Sequence, residues 1–407
     1  MGPTGRQGHR PSRQGFRPWR CSASPCRAIT GRMLPLHVTD PALAAARLEA
    51  LIPGPVAPAR LAVGESLGLP LATDLLLPQA LPARDTAARD GWALCAADTA
   101  GASAYAPAPL AGAPWVEAGD TLPSGADAVL PAFEVEEHGP LLMALAEAVP
   151  GDGVQPAGAD APLALLLRHA GQRLRAADLP LLAMAGIASV AVRRPRVALL
   201  PIGDEIMASP ILDRTGPFLL HLLAAEGAEA RILPPAGDDP ASIAEALRAG
   251  AAEADLLLTL GGTGLGRRDH AAAGLALAGE VLLHGLGAWP GHSTGFGHAG
   301  GRPVILVPGH PADALAGWLL LARPALRRLS GALPAAPRRA RLGRKIASGI
   351  GLAELVLLRR GAEPDLVEPL ATGTLPLSAL AAAEAMLVVP PASEGYEAGR
   401  WVEVEEI

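Results

Sequence analysis

Lysine is almost absent from this 407-residue chain, in which Lys345 stands alone. Arginine therefore supplies nearly all of the positive charge, and an anionic ligand would meet guanidinium groups rather than ammonium groups. Aromatic residues make up only 3% of the chain, so its cores must be built from Ala, Leu and Val. The formal net charge of −6 gives no global attraction to nucleic acid, and we expect no such partner.

Cysteine and long apolar runs are also scarce. Cys21 and Cys26 lie near the start of the chain, which leaves Cys95 alone in the remainder. Neither a disulfide framework nor a thiolate metal site follows from this. The longest uncharged apolar stretch, Leu179 to Val192, is shorter than the ~20 residues needed to span a bilayer. We therefore expect a cytoplasmic protein with no membrane partner.

The first 32 residues are rich in arginine and contain no acidic residue. This bias is typical of transit peptides and equally of disordered tails. A third interpretation makes Met33 the biological start. We favour a dispensable extension over residues 1–36, or a misplaced start, over a targeting signal.

The remainder divides into three parts by pattern. Residues 37–192 open with a helical pattern at 41–51 and continue as short segments broken by Pro and Gly, which indicates β-structure with loops. Residues 193–331 alternate apolar strands with helical stretches, which favours a parallel sheet covered by helices on both faces. Residues 332–407 follow a Pro/Ala/Arg linker and have the short β-like runs of a small β-domain. The predicted strands are Val197–Pro201, Asp255–Leu260 and Val304–Val307, and the predicted helices are Gly216–Glu226, Pro240–Glu253 and Pro311–Leu329.

Each strand of the α/β part runs directly into a polar or glycine-rich turn. These turns lie at residues 203–205, 261–269 and 308–311. In parallel sheets ligands bind at the carboxyl ends of the strands, so three such turns would form one site.

The stretch "LLLTLGGTGLGRRDH" contains the most informative of these turns. Its glycines admit close backbone approach, and successive amides could form an anion-binding nest. Arg267 and Arg268 replace the Lys-Ser/Thr pair of a Walker A loop, and Arg267 also breaks a G-x-G-x-x-G pattern. The two arginines could clamp a phosphate. A tight strand-to-helix turn without a ligand is the alternative.

Carboxylates accompany these turns. Asp204 and Glu205 could cap a helix, and Asp239 before Pro240 has the pattern of an N-cap, which leaves Asp238 freer. Asp269 could orient a water or hold a divalent cation. Together Glu205, Asp238 and Asp269 form a candidate metal site, with Mg²⁺ as the expected ion. His310 we expect to have a structural or ligand-contact role.

Several stretches occur along the chain in a fixed order. They are "ARDGWALCAADTAG", "LPSGADAVL", "GIASVAVRRPRVALLPIGDE", "GDDP", "LTLGGTGLGRRDH", "PGHPADAL" and "RPALRRLSG", followed by the C-terminal run "ATGTLPLSALAAAEAMLVVPPASEGYEAGRWVEVEE". In these stretches and in their order, the chain from about residue 41 onward resembles the molybdopterin molybdenumtransferase family (the MoeA and gephyrin E-domain type). The C-terminal run is similar to the family's β-domain.

The resemblance implies a fold and an activity. It implies an α/β multidomain protein with a mixed β-rich N-terminal region (37–192, two subdomains with an insertion at about 62–150). A central parallel-sheet three-layer MogA-like domain (193–331) and a C-terminal β-barrel domain (332–407) would follow. The implied activity is a transferase reaction: insertion of molybdate into adenylated molybdopterin with release of AMP and with Mg²⁺ present. The family acts as an elongated homodimer with its site shared between subunits.

The resemblance also implies which residues act. Five carboxylates match the family's acidic positions and are the candidate catalytic residues: Asp90, Asp160, Glu205, Asp238 and Asp269. The candidate pterin-binding residues are Asp204, Gly261, Gly262, Thr263, Gly264, Gly266, Arg267, Arg268, Pro308, Gly309, His310 and Pro311.

Several positions depart from the family pattern. Ala118 replaces a threonine, and Trp289 and His292 replace the two lysines of a K-P-G-K-P segment. Each lost cation would remove about 1–3 kcal/mol if it made a charge-assisted hydrogen bond. His310 and Asp313 replace an Asn and a Ser. The glycine turn is closer to that of the related molybdopterin adenylyltransferases (the MogA type), so Arg267 and Arg268 are expected to supply the missing positive charge.

Four interpretations therefore stay open at the level of sequence, one of which is a fold retained only for dimer assembly. The retained acids favour molybdate insertion. The lost lysines and threonine favour a catalytically weak relative that carries molybdopterin or the finished cofactor to a client molybdoenzyme. The glycine turn alone favours adenylyl transfer, and the multidomain layout argues against it.

Overall fold

The computed structural model of the protein describes residues 38–334 and 336–407. The expectations for residues 1–36 lie outside the described residues. Within these ranges, no helix has both the length and the apolar character that a membrane span requires.

Residues 38–192 form one helix followed by many short strands. The first helix begins at Pro41 because Asp40 accepts hydrogen bonds from the backbone N–H groups of Ala42 and Leu43, at 2.9 and 3.2 Å. The bounds are α1 (Pro41–Ala50), β1 (Ala59–Ala62), β2 (Leu75–Leu76), β3 (Thr86–Ala87), β4 (Gly91–Leu94), β5 (Ser103–Leu110), β6 (Trp115–Val116), β7 (Ala128–Leu130), β8 (Val135–His138), β9 (Leu141–Ala146), β10 (Val154–Gln155), β11 (Leu166–Arg168), α2 (Leu179–Met184) and β12 (Ser189–Val192).

These strands pair in small antiparallel sheets. β4 lies between β6 and β7, β9 lies between β5 and β8, and three two-stranded pairs join β1 to β12, β2 to β11 and β3 to β10. Together these sheets cover four small apolar clusters that consist mostly of Ala, Leu and Val. The composition had predicted cores of these residues.

Residues 196–330 form the α/β domain. Its sheet has the order β14-β13-β15-β19-β18-β16, and the first four of these strands are parallel. The bounds are β13 (Arg196–Pro201), α3 (Asp204–Ala208), α4 (Gly216–Ala225), β14 (Glu229–Ile232), α5 (Pro240–Glu253), β15 (Leu256–Leu260), α6 (Ala271–Ala278), β16 (Gly279–His284), β17 (Ala288–Trp289), β18 (Gly295–Ala299), β19 (Arg302–Val307), α7 (Pro311–Gly317), a π-helical turn (Trp318–Ala322) and α8 (Arg323–Ser330).

Two apolar cores sandwich this sheet. Successive side chains of a strand point to opposite faces, and here Val197 and Leu199 face the core shared with α1, α4, α7 and α8. Ala198 and Leu200 face the core shared with α5 and α6. Near-continuous apolar strands are what burial on both faces requires. The predicted three-layer α/β architecture is thus confirmed.

Two details of this domain differ from the sequence-based expectation. β18 pairs antiparallel with both β19 and β16, so an antiparallel edge extends the parallel sheet. The predicted helix Pro311–Leu329 is interrupted by the π turn at 318–322. Pro324 follows that turn directly, and because proline has no N–H to donate, the regular hydrogen-bond ladder cannot continue through it.

Residues 338–406 form the predicted C-terminal barrel. β22 pairs with both β23 and β24, which closes the ring β22-β23-β20-β26-β24 around a core that includes Val356, Val367 and Val404. β17 of the α/β domain adds to the edge of β22. The bounds are β20 (Arg338–Leu342), β21 (Ile346–Ala347), β22 (Ala353–Arg360), β23 (Leu366–Thr372), α9 (Leu377–Ala382), β24 (Ala385–Val389), β25 (Gly395–Tyr396) and β26 (Trp401–Glu406).

Candidate functional site

The turns that follow four parallel strands meet at one edge of the sheet. The backbone N–H of Gly203 donates to Ala236 O, that of Ile202 to Leu260 O, and that of Gly261 to Val307 O, each at 2.9 Å. These bonds tie the end of β13 to the chain after β14, and the end of β15 to the end of β19. The turns at 203–205, 238, 261–269 and 308–311 therefore lie together, as their positions after parallel strands predict.

Three carboxylates cluster on the β13 side of this edge. Asp204 Oδ1 accepts the backbone N–H of Asp238 at 3.1 Å. Burial raises the pKa of the Asp238 carboxyl, the negative charges of Asp204 and Glu205 raise it further, and Arg268 opposes the shift. The acids therefore repel one another, and a cation or a proton at this place is favoured.

Two helix starts clarify the roles of neighbouring acids. Gly203 is the N-cap of α3 and no side chain caps it, so the alternative in which Asp204 or Glu205 caps this helix is wrong. Asp239 does cap α5, since its Oδ2 accepts the backbone N–H of Ser242 at 2.9 Å. That part of the prediction is confirmed and leaves the Asp238 side chain without a capping role.

The glycine turn begins with two residues in the left-handed region. Gly261 has φ +96° and Gly262 has φ +64°, conformations that side chains strongly disfavour. Further along the turn, Asp269 Oδ2 accepts the backbone N–H of Gly266 at 2.6 Å and lies against Gly264. The turn thus binds a carboxylate of its own, where the sequence predicted a nest open to an external anion.

Arg267 and Arg268 extend from the same turn into solvent. Both side chains are exposed, and neither guanidinium has a hydrogen bond or ion pair within residues 38–334 and 336–407. Arg268 lies close enough to Asp238 to oppose the rise in its pKa. The two guanidiniums are therefore the available anion-binding groups of the turn.

Two residues that the sequence analysis missed hold this turn in place. His284 is 8% exposed, and its Nε2–H donates to Thr263 O at 2.8 Å. The hydroxyls of Thr263 and Ser293 are hydrogen-bonded at 3.0 Å. Burial lowers the pKa of His284, so its ring is neutral. No local signal marks these residues, because their partner is distant in sequence.

The turn at 308–311 lies directly against the glycine turn. A Cβ added to Gly309 would come within 3.3 Å of Gly261 Cα, which is closer than ordinary van der Waals contact, so the two turns pack backbone against backbone. The Thr215 hydroxyl donates to Gly309 O at 2.5 Å. His310 caps α7 through Nδ1, which accepts the backbone N–H of Ala312 at 3.3 Å. This contact gives His310 the structural role that the sequence suggested, between Pro308 and Pro311.

The segment that departs most from the family pattern lies beside these turns. Gly291 N–H donates to Asp313 Oδ1 at 2.8 Å, which fixes the segment to the start of α7. Trp289 stacks on His292 with ring centroids 5.1 Å apart, and its backbone pairs with β22. Trp289 is thus held on His292 and at the barrel edge.

The remaining two predicted carboxylates lie in the β-rich region. Asp90 Oδ1 accepts the backbone N–H of Ala118 at 2.8 Å, at the start of β4. Asp160 Oδ2 accepts from Gln155 Nε2 at 3.0 Å. These hydrogen bonds hold both carboxylates within the β-rich region.

The carboxylates at the strand-end turns do not by themselves complete a site for the expected Mg²⁺ ion. Among the described residues, no three His, Cys, Asp or Glu side chains are grouped so that they could hold a metal ion. Glu205, Asp238 and Asp269 therefore do not form a ready-made cage. Mg²⁺ commonly binds through one or two carboxylates and completes its octahedron with water and substrate phosphate. The mutual repulsion of Asp204, Glu205 and Asp238 fits a cation held in that way.

Glycine-rich turns at the carboxyl ends of parallel strands are typical of α/β domains that bind ligands at this edge of the sheet. Three family models cover the described chain in sequence. They are the MoeA N-terminal region (domain I and II) at residues 39–186, the probable molybdopterin binding domain at 198–328 and the MoeA C-terminal region (domain IV) at 339–407.

Named relatives agree with these models. The chain is 30% identical to molybdopterin molybdenumtransferase 2 of Mycobacterium tuberculosis over 301 residues, which are 66% of this chain and 74% of that protein. It is 27% identical to molybdopterin molybdenumtransferase 1 of the same organism over 418 aligned positions, covering 88% and 96% of the two chains. The crystal structure of a molybdopterin biosynthesis MoeA protein from Pyrococcus horikoshii superposes with a TM-score of 0.75 at 28% identity, covering 90% and 98%.

The chain belongs to the molybdopterin molybdenumtransferase family. Its place is therefore in molybdenum cofactor biosynthesis, and the substrates of its family are molybdopterin and molybdate.

Proposed function

We propose that the protein inserts molybdate into adenylated molybdopterin and releases AMP. The observation that carries this proposal is the meeting of four turns at one sheet edge, where clustered carboxylates lie beside two unpaired guanidiniums. An adenylated pterin carries a diphosphate, which suits the forked donors of Arg267 and Arg268.

In this proposal the residues divide the work by charge. Arg267 and Arg268 bind the diphosphate, and Thr263 is held by His284 and Ser293 so that the turn keeps its shape. The raised pKa of Asp238 reflects the negative charge that accumulates in this cluster of acids. Mg²⁺ would be held by Asp238 and Glu205 together with substrate phosphate, where it would offset negative charge. Asp269 shapes the turn through Gly266.

A homodimer completes the site in this proposal. Asp90 and Asp160 belong to the β-rich region, and their carboxylates accept hydrogen bonds from within it, so we propose that they act on the site of a second copy. Mixing two inactive variants tests this. Co-refolded Asp90→Asn and Asp238→Asn chains would regain one intact site per mixed dimer. Activity that stays at the level of the separate variants contradicts the shared site.

The second candidate function is that of a carrier for molybdopterin or the finished cofactor. The observation that favours it is the stack of Trp289 on His292, which presents aromatic rings at the places where the family has two lysines. Such a surface suits a flat pterin ring and lacks the charges of the family's segment.

One assay separates these functions and adenylyl transfer. The protein is incubated with adenylated molybdopterin, Mg²⁺ and molybdate, and AMP is followed by chromatography. AMP release that depends on molybdate supports the transferase, and its loss in Asp238→Asn, with retention in the surface variant Arg47→Ala, assigns it to this site. Tight binding without turnover supports the carrier. Formation of the adenylate from ATP supports adenylyl transfer.

A further inference from the structure

A large concavity lies away from the strand-end turns, between the α/β domain and the barrel. It has a volume of about 880 Å³ and is bounded by the π turn and α8 on one side and by β24 and β26 on the other. We call it the barrel cleft. Its charged and aromatic lining consists of Arg323, Arg327, Arg338, Tyr396, Arg400 and Trp401, with acids from β26 at one rim.

The guanidiniums at the α8 side of the barrel cleft have too few counter-charges. Arg173, Arg323 and Arg327 all approach the carboxylate of Glu226, with Arg323 Nε at 2.6 Å and Arg327 Nη2 at 3.6 Å. Arg323 also pairs with Glu405. Arg327 makes no side-chain hydrogen bond to any residue in the ranges that the structure describes. Its fork of donors is therefore available to a ligand in the cleft.

The environment of Arg327 supports the same conclusion. Burial lowers the pKa of its guanidinium, and the positive charge of Arg323 lowers it further. The charged form is thus disfavoured by the protein itself, and an anion in the cleft would relieve that penalty.

Arg338 adds a second guanidinium with unused donors to the same lining. Its Nε and Nη2 are buried and have no hydrogen-bond partner among the described residues, although Nε lies 3.5 Å from Glu406 Oε1. Only Nη1 donates, to Pro364 O at 3.3 Å. These two donors are covered by the protein's own atoms, so a ligand would meet them as the Arg338 side chain turns toward the cleft that this residue lines.

The acids at the rim do not cancel this charge. Glu405 is paired with Arg323, and Glu406 lies within ion-pair distance of both Arg338 and Arg360. Glu403 alone has no ion pair within the described chain and is on the β26 side. The excess of positive charge is therefore at the Arg327 end of the barrel cleft.

The π turn shapes this end of the cleft. It places Leu319 and Leu320 in the lining and leads directly into Arg323. π turns inside α-helices are rare and are frequent at functional sites. Apolar side chains beside two guanidiniums that keep donors without a hydrogen bond match a ligand with one organic part and one oxyanion.

We infer that the barrel cleft is a second ligand site, which binds a phosphate-bearing small molecule through Arg327 and Arg338. Its volume falls within the roughly 300–1,000 Å³ of small-molecule pockets. This inference does not depend on the proposed activity, because the cleft shares no residue with the strand-end turns.

Equilibrium dialysis with AMP as the probe tests the inference. The measurement uses the full chain with Arg267→Ala and Arg268→Ala, so that the strand-end turns contribute little. We expect one AMP per chain to remain bound, with competition by inorganic phosphate and none by adenosine. Arg327→Gln and Arg338→Gln should each weaken binding at least ~10-fold, and Arg327→Lys should weaken it less.

A stability measurement distinguishes a ligand site from a structural cluster. Because the folded protein disfavours the charge on Arg327, the melting temperature of Arg327→Gln without ligand should equal or exceed that of the parent. Arg359→Gln, on the exposed end of β22, serves as the control and should bind AMP normally. The inference is overturned if the chain with Arg267→Ala and Arg268→Ala binds no AMP. It is also overturned if Arg327→Gln and Arg338→Gln bind AMP as tightly as that chain does, or if adenosine competes with AMP.

Discussion

Replacing Arg267 and Arg268 together with alanine is the most direct test of the glycine turn. Both guanidiniums are exposed and have no partner within the described residues, so their removal should leave folding stability nearly unchanged. Hydrogen bonds to charged groups contribute about 1.5–3 kcal/mol. At the lower end, which suits exposed side chains, two such bonds sum to ~3 kcal/mol, or about 100-fold in affinity.

The assay is calorimetric titration with adenylated molybdopterin at fixed, moderate salt, because exposed charges are screened at high ionic strength. Each single variant should lose about 10-fold, and Arg47→Ala, an exposed arginine of α1, should lose nothing. Thermal unfolding of the double variant should match that of the parent. An affinity within about twofold of the parent would refute the assignment of these arginines as replacements for the missing lysines.

Three further predictions concern the surroundings of the site. Because the pKa of Asp238 is raised above 3.8 in the folded protein, ionisation of this carboxyl lowers the free energy of unfolding as the pH rises through its folded-state pKa. In urea titrations at a series of pH values, Asp238→Asn should remove this decrease in the free energy of unfolding. The same decrease in the variant as in the parent would contradict the charge cluster. His284→Leu leaves Thr263 O without its donor, so it should lower the free energy of unfolding by about 1–3 kcal/mol and raise KM. His284→Gln keeps a donor and should lose less stability and raise KM less. Equal stability and equal KM in the two variants would exclude the hydrogen bond as the cause. Gly274→Ala places a Cβ in steric overlap with Ile243 Cγ2 and should lower the free energy of unfolding, measured by calorimetry, by about 1–3 kcal/mol. Adding Ile243→Ala should restore part of this stability. An unchanged stability of Gly274→Ala would contradict the close packing of α5 against α6.

The parts of the fold that follow local rules could be predicted from the sequence. Apolar strands followed by polar turns indicated the three-layer sheet, and Asp239-Pro240 indicated the start of α5. The antiparallel edge formed by β16 and β18 could not be predicted in this way, because their glycine-rich segments pair through long-range backbone contacts. The π turn depends on how α7 continues into Pro324, which periodicity does not resolve.

The candidate site shows the same division. Convergence of the strand-end turns follows from topology alone, so it could be anticipated. The direction of a side chain within a turn could not, and Asp269 illustrates this, since it points back to Gly266 instead of outward. His284 and Ser293 are recognisable only once Thr263 is seen between them. The roles of Asp90 and Asp160 stay predictions that rest on family resemblance.

Glu226 links the three parts of the chain through one side chain. It receives Arg173 from the β-rich region and Arg323 from α8, and Arg323 in turn reaches Glu405 of the barrel. The loss of this carboxylate would leave three guanidiniums facing one another at low exposure, a change that is strongly unfavourable. The relative position of the three parts therefore depends on this one acid as well as on the pairing of β17 with β22.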